Sequence, residues 1–367
     1  MESITPGCGY GFSDAQLRIA ARDFVAPRND ERERLRTMNM RITILFGGSN
    51  RERLVSVASA QALHQALPEA DLWWWDVEDK VHVVQSKQLL DHARPFEDEF
   101  KPGTRGIPLE QALDQAKAEG RVLVLGLHGG RAENGELQVM CEVRGVPFTG
   151  SGSASSHLAF DKIAAKHFAA LGGVTPPENV ALDKIDEAFA EYGRLIAKPA
   201  RDGSSYGLIF VNAKQDLVAV RNAAKHEEYV IEPYIAGVEA TCGVLERTDG
   251  SIIALPPIEI IPGEGNFDYA AKYLLKSTQE ICPGRFAPEI TAALKQQAIA
   301  AHRAMSCTGY SRSDFIVSDK GLVYLETNTL PGLTKSSLYP KALKAEGIAF
   351  VDFLRGLIEL AERRVRK

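Results

Sequence analysis

Residues 41–67 read RITILFGGSNRERLVSVASAQALHQAL. The run Ile42, Thr43, Ile44, Leu45, Phe46 is apolar or β-branched throughout and suits a buried strand. Gly47-Gly48-Ser49-Asn50 follow as a turn, and from Val55 through Ala58 and Leu63 to Leu67 apolar residues recur at helical spacing. Strand, glycine turn and helix in that order open an α/β layer. Further strands are predicted at 72–75 and 122–125, separated by a long polar segment with a helix near 109–118, so we expect an open parallel sheet ending near Gly152. Trp73, Trp74 and Trp75 fall on the second strand. A strand points neighbours to opposite faces, so they are expected to serve core and sheet edge rather than a binding platform.

Beyond Gly152 the sequence predicts a helix at about 156–171, a strand at 195–198, a glycine-serine loop and a strand at 208–211. A helix near 215–224 and a strand at 229–232 come next, then strand-rich stretches at 239–246 and 252–260. After a loop at 262–284 come a helix at 288–305, strands near 311–317 and 322–325, and a last amphipathic helix whose Phe350, Phe353, Leu354, Leu357, Ile358 and Ala361 share one stripe.

The 367 residues carry 43 Lys plus Arg against 48 Asp plus Glu, a net charge of −5, with 45% hydrophobic residues. At about 150 residues per domain the length suggests two to three domains with an ample core. The mild acidity leaves no electrostatic footprint for nucleic acid or anionic lipid. Cys8, Cys141, Cys242, Cys282 and Cys307 are odd in number and scattered, so neither a disulfide framework nor a zinc site is expected, and a reducing cytoplasm fits best. No stretch reaches the length of an apolar membrane span, and Glu2, Asp14, Arg18, Arg22 and Asp23 interrupt the place of a signal sequence. In residues 1–40, Ser13 and Gln16 read as a capping box, with Leu17, Ala20, Ala21 and Phe24 as a short apolar face. We read this arm as an appendage and assign it no chemistry.

Three segments carry candidate chemistry. The turn at 47–50 could cradle a phosphate, but it lacks GxGxxG spacing, and a single glycine turn after a strand is more often plain fold geometry. KPARDGSSYG at 198–207 offers a fixed ammonium and free backbone N–H groups to a polyphosphate; a surface hairpin is the alternative. Asp314, Glu326 and Asn328 offer three oxygen ligands of the kind Mg²⁺ prefers, with 326 and 328 on one strand face and Arg312 ready to meet developing charge. A surface salt-bridge cluster is the competing reading there.

Together GGSNRER (47–53), HGGRAENG (128–135), PFTGSG (147–152), the 198–207 loop, YAAKY (269–273), RSD (312–314) and LETNTLPGLT (325–334) resemble, in order, the D-alanine–D-alanine ligase family of the ATP-grasp superfamily, over about residues 40 to 365. The resemblance implies an α/β fold, α+β in its C-terminal parts: an ATP-grasp fold preceded by an open parallel-sheet domain. The implied division is a 1–40 extension, a 41–152 N-terminal domain, a 153–235 central subdomain and a 236–367 C-terminal subdomain with a lid at 262–284. It also implies phosphorylation of one D-alanine carboxylate by ATP, attack by the amine of a second and loss of phosphate, for peptidoglycan precursor synthesis.

By position in the resemblance, Glu52 would hold the first D-alanine's ammonium, with Ser204 and Tyr273 as its hydrogen-bonded partners. His128 would stand near that substrate, Arg312 would hold the oxyanion, and Ser337 and Leu338 would receive the second carboxylate. Lys162 and Lys198 would contact phosphates, Glu232 the adenine side, Glu239 the ribose, and Lys272 the γ-phosphate. Asp314, Glu326 and Asn328 would hold two Mg²⁺ or Mn²⁺ ions, with ATP as co-substrate. The resemblance further implies a homodimer with D-alanine and ATP as its ligands and no nucleic acid or membrane partner. Tyr273, rather than Phe, favours an amine nucleophile over D-lactate. Leu54 replaces a second carboxylate, Tyr206 stands where a small or β-branched residue is usual, and Pro233 lacks the N–H that would serve adenine. These departures leave room for a ligase of another amino-acid pair, and an idle ATP-binding protein is the rival from another class.

Overall fold

Strand β1 (Arg41–Gly47) lies between two parallel neighbours, β2 (Asp71–Trp75) and β5 (Arg121–Gly126), which is why its residues from Thr43 onward are buried. The computed structural model describes residues 41–201, 203, 206–262 and 278–366. The readings made for residues 1–40, for Ser204, Lys272 and Tyr273, and for most of the 262–284 loop lie outside the described residues.

The expected parallel core is present, and the sheet extends past it through β3 (Lys80–Val84) and β4 (Ile107–Pro108), both antiparallel, in the order β4-β3-β2-β1-β5. The N-terminal sheet is therefore mixed rather than wholly parallel. Its extra strands are short and partly exposed, and the β2–β3 turn is organised by the Asp76 carboxylate, which accepts from the N–H groups of Glu78 and Lys80 at 2.8 and 2.9 Å. Trp73 and Trp75 are buried, and Trp74 packs between His82 and Phe100. That packing also explains the first glycine of the turn. Gly47 has φ +101°, and a Cβ there would lie 2.2 Å from the Trp75 carbonyl and 2.7 Å from the Trp74 ring.

The helix expected at about 156–171 is two helices, Ser153–Phe160 and Lys162–Leu171. Asp161 divides them: its carboxylate accepts from the N–H groups of Ile163 and Ala164 and caps the second. Next comes an antiparallel three-stranded sheet of β6 (Leu195–Pro199), β7 (Ile209–Val211) and β8 (Tyr229–Pro233), in the order β7-β6-β8. The largest sheet contains β9 (Val238–Glu246), β10 (Ile252–Ala254), β11 (Ile258–Ile261), β12 (Gln279–Ile281), β13 (Tyr310–Ser318) and β14 (Gly321–Asn328), with β9 between β11 and β13. Helices Lys162–Leu171 and Pro288–Ala304 cover one face of it, burying Ala169, Leu294 and Ala298 against Cys242, Val244, Phe315 and Tyr324. Cys242 and Cys307 are thus small core residues. Helix Leu338–Ala345, which the sequence reading did not place, precedes the expected C-terminal helix Phe350–Arg366. No helix of the described residues is long and apolar enough to cross a membrane.

Candidate active site

Register across the large sheet builds the centre of the site. Thr241, Asp314 and Glu326 lie in one row across β9, β13 and β14, and Gly243, Arg312 and Asn328 form the next row on the same face. Asp314 accepts from the Thr241 hydroxyl at 2.5 Å and takes both arms of the Arg312 guanidinium at 3.0 and 2.9 Å. The Asn328 amide donates to Asp314 at 3.4 Å. The pairing slips between Asp314 and Phe315, leaving Leu325 as the extra residue of a bulge. That bulge lets adjacent Leu325 and Glu326 line the same cavity, which an unbroken strand would prevent.

The cavity, of about 600 Å³, lies between the small and large sheets. Lys162, Lys198, Glu232, Glu239, Asp314 and Glu326 share it with an apolar wall that includes Ile196, Phe210, Tyr234 and Ile316. A mostly apolar pocket ending in a few convergent charges suits a planar base carrying a polyphosphate. Lys162 stands 3.8 Å from Glu326, and Lys198 3.2 Å from Glu232. Burial, with the neighbouring Lys162 ammonium, pushes Lys198 down to about 8, against the pull of Glu326 and Asp314.

Glu232, expected on the adenine side, stands on β8 among the lysines. Its carboxylate, 2% exposed, is ion-paired with both Lys198 and Lys166, and the residue lines the cavity as well. Lys166 escaped the sequence reading, although it sits one helical turn after Lys162 and therefore on the same face. Burial and the adjacent Lys198 push the Lys166 ammonium down.

The first-substrate side is assembled from three loops. Asn50 donates from its amide to the carbonyls of His128 and Gly129 at 2.7 and 2.8 Å, and its oxygen accepts from the Glu52 N–H at 2.8 Å. Glu52 is brought so close to the second loop that a Cβ on Gly129, itself at φ +64°, would lie 2.0 Å from its carboxylate. His128 is buried with both ring nitrogens engaged. Nδ1 faces the Leu330 carbonyl at 3.1 Å, so it carries the proton, and Nε2 accepts from the Ser59 hydroxyl at 2.8 Å. Burial holds the imidazole pKa below its usual value. His128 thus locks the loop after β14 to the first domain, beside Glu52. Glu133 does the same by accepting from the N–H groups of Gly129 and Leu330; burial, then the Glu52 charge, pushes it up to about 7.

The loop after Asn328 continues to Ser337, the N-cap residue of helix Leu338–Ala345, whose hydroxyl is 2.7 Å from that of Thr334. Leu338 is half-buried as the first residue of that helix. The structure therefore brings Glu52 and His128 together, gathers Lys162, Lys198, Glu232 and Glu239 around the cavity with Asp314 and Glu326, and puts Arg312 and Asn328 in the adjoining row. Asp314 and Glu326 are hard oxygen donors on the cavity wall and Asn328 is bonded to Asp314, a set that suits Mg²⁺ or Mn²⁺ completed by phosphate and water oxygens. Among the described residues no three His, Cys, Asp or Glu cluster as a metal cage.

Known proteins resemble this chain over most of its length. The D-ala D-ala ligase N-terminus model matches residues 41–151, and the D-ala D-ala ligase C-terminus model matches residues 178–359. A D-alanine–D-alanine ligase of Nitrosomonas eutropha is 36% identical over 336 residues, spanning 88% of this chain and 99% of the relative. One of Oleidesulfovibrio alaskensis is 38% identical over 330 residues, spanning 88% and 96%. The solved structure of VanG D-Ala:D-Ser ligase from Enterococcus faecalis matches with a TM-score of 0.70 at 30% identity, covering 88% of this chain and 99% of that one. With both family models matched in order and a curated relative 36% identical over nearly its whole length, the chain belongs to the D-alanine–D-alanine ligase family.

Proposed function

We propose that this chain joins two D-alanines into D-alanyl-D-alanine at the expense of ATP, for peptidoglycan precursor synthesis. The observation that carries the reading is the placement of Asp314 and Glu326 at the lysine-lined end of the cavity, with Arg312 in the adjoining row and Glu52 beside His128. In this reading the apolar wall receives adenine, Glu239 the ribose, and Lys162, Lys198 and Lys272 the phosphates. Asp314, Glu326 and Asn328 hold the two divalent ions, which when bound neutralise phosphate charge. Glu52 fixes the first D-alanine's ammonium, supported by Ser204 and Tyr273, so that its carboxylate faces the γ-phosphate. Arg312 meets the oxyanion formed when the second amine attacks, and Ser337 and the Leu338 backbone receive the second carboxylate. The divisions at 41–152, 153–235 and 236–367, a lid within 262–284, a homodimer and a cytoplasmic location complete the proposal.

Phosphate release by the purified chain with ATP and Mg²⁺ tests it, run with D-alanine beside L-alanine, D-lactate and D-serine and read with product masses. D-alanine-dependent release yielding the D-alanyl-D-alanine mass is expected. A mixed D-alanine and D-serine product in excess, the activity named for the VanG structure, would replace the second substrate.

Lys198 adds a pH test. Its pKa of about 8 in the free protein must rise when a phosphate becomes its partner, so binding is strongest below pH 8 and weakens as pH rises through and above that value. Calorimetry should give a Kd for ATP roughly tenfold weaker at pH 9.5 than at pH 7.5, with proton uptake in that range, because a tenfold gain in proton affinity on binding is matched by a tenfold change in ATP affinity. A Kd independent of pH removes Lys198 from the phosphates.

A further inference from the structure

Tyr206 is out of place in a glycine-serine loop. Its ring is large and 51% exposed, at a position where the family resemblance leads one to expect a small or β-branched side chain. The structure supplies a partner: the Arg51 guanidinium lies over the ring, 3.7 Å from its centroid. That distance and face-on placement make a cation–π contact. Arg51 belongs to the turn that ends in Glu52, so the contact joins the loop after β6 to the turn after β1.

The loop is fastened to its own neighbourhood at both ends. At its entry, Arg201 pairs with Asp161 at 2.7 Å and Glu228 at 3.1 Å. At its exit, Gly207 has φ +68°, and its carbonyl accepts from the Tyr229 hydroxyl at 3.1 Å. Between these anchors the Tyr206 N–H closes a turn on the Gly203 carbonyl at 3.2 Å. Gly203 in turn lies against Glu52: a Cβ on it would be 3.3 Å from the carboxylate. Gly203 and Tyr206 therefore each lie against the turn after β1, at Glu52 and at Arg51.

We propose that Arg51 and Tyr206 form a clasp that holds the glycine-serine loop against the first-substrate turn, and so act as positioning residues for the first D-alanine. This rests on the reading of Glu52 as the anchor of that substrate. The clasp keeps the Glu52 carboxylate between Gly129 and Gly203, where it can meet an ammonium, while Gly203 and Tyr206 stay on the cavity lining. Without it Glu52 keeps its helix-start geometry but loses the wall on its Gly203 side.

The test uses the full chain with Arg51→Ala, Tyr206→Ala, the double variant and Tyr206→Phe. Two measurements are made: the two KM values for D-alanine, separated by its biphasic saturation, and amide hydrogen exchange at 206–207 without any ligand. An exposed cation–π contact predicts a two- to fivefold rise in the first KM for each single alanine variant. The second KM should be unmoved, kcat should change less than twofold, and the double variant should be no worse than either single one. Tyr206→Phe keeps the ring and should behave as the parent. Exchange at 206–207 should be faster in Arg51→Ala than in the parent. Additive effects, a Tyr206→Phe that matches Tyr206→Ala, or unchanged exchange in Arg51→Ala overturns the clasp. Because exchange is read without substrate, a parent chain that makes no dipeptide removes the proposed function and leaves the clasp to be decided by exchange.

Discussion

Glu326→Gln should lower kcat for D-alanine-dependent phosphate release by about 10²- to 10³-fold, the scale on which loss of one preorganised electrostatic partner of a transferring group is felt. The substitution is nearly isosteric, and the Glu326 side chain is 29% exposed, so the bulge that carries it should survive and thermal stability should change little. What is lost is a charge, in two places at once. The metal set keeps one carboxylate, Asp314, which Arg312 already shares in this structure. Lys198 also loses the stronger of the two carboxylate pulls that raise its pKa, so its ammonium becomes harder to keep charged. The Mg²⁺ concentration for half-maximal rate should rise as well. Steady-state assays across a Mg²⁺ titration check both, and turnover within a few-fold of the parent at ordinary Mg²⁺ would remove Glu326 from the metal.

What could be read beforehand follows the range of the forces involved. The parallel core of the first sheet was legible because its strands are continuous apolar runs. The antiparallel β3 and β4 were not, because β3 places Lys80 and Val83 in water and β4 is two residues long. The break at Asp161 was missed for a related reason: the apolar pattern runs on either side of it, and only the cap hydrogen bonds reveal it. In the site, Asp314, Glu326 and Asn328 stood out as residue types at strand spacing, but the bulge at Leu325 that turns Glu326 into the cavity is a property of pairing between strands. Lys166 had a local signal in its spacing from Lys162. The commitment of Glu232 to two lysines had none, since one comes from a helix and the other from the neighbouring strand. Ser59, on the helix Arg53–Ala66, became significant only when folding put its hydroxyl on His128.

Glu52→Gln should reduce kcat/KM for the first D-alanine by about 10- to 100-fold, because a hydrogen bond to a charged partner is worth about 1.5–3 kcal/mol and an amide replaces the ionic part of it. ATP affinity measured alone should change much less, since Glu52 does not line the nucleotide cavity. The same substitution makes a stability prediction of opposite direction. Burial, and after it the Glu52 charge, raises the Glu133 pKa to about 7, well above the ordinary carboxylate value of 4.5. A carboxyl whose pKa is raised by folding binds its proton more tightly in the folded chain, so stability is lost as pH rises from about 4.5 through about 7. Removing the Glu52 charge relieves part of that loss. Thermal melts should therefore place Glu52→Gln at or above the parent at pH 8, where Glu133 is ionised, and show a smaller gain or a deficit at pH 5, where it keeps its proton. A variant less stable than the parent at pH 8 but not at pH 5 would mean that the two carboxylates do not repel, and that Glu133 owes its raised pKa to burial alone. Reduced activity with raised stability at pH 8 is instead the pattern of a site that tolerates repulsion between Glu52 and Glu133 to keep a carboxylate available for a cationic ligand.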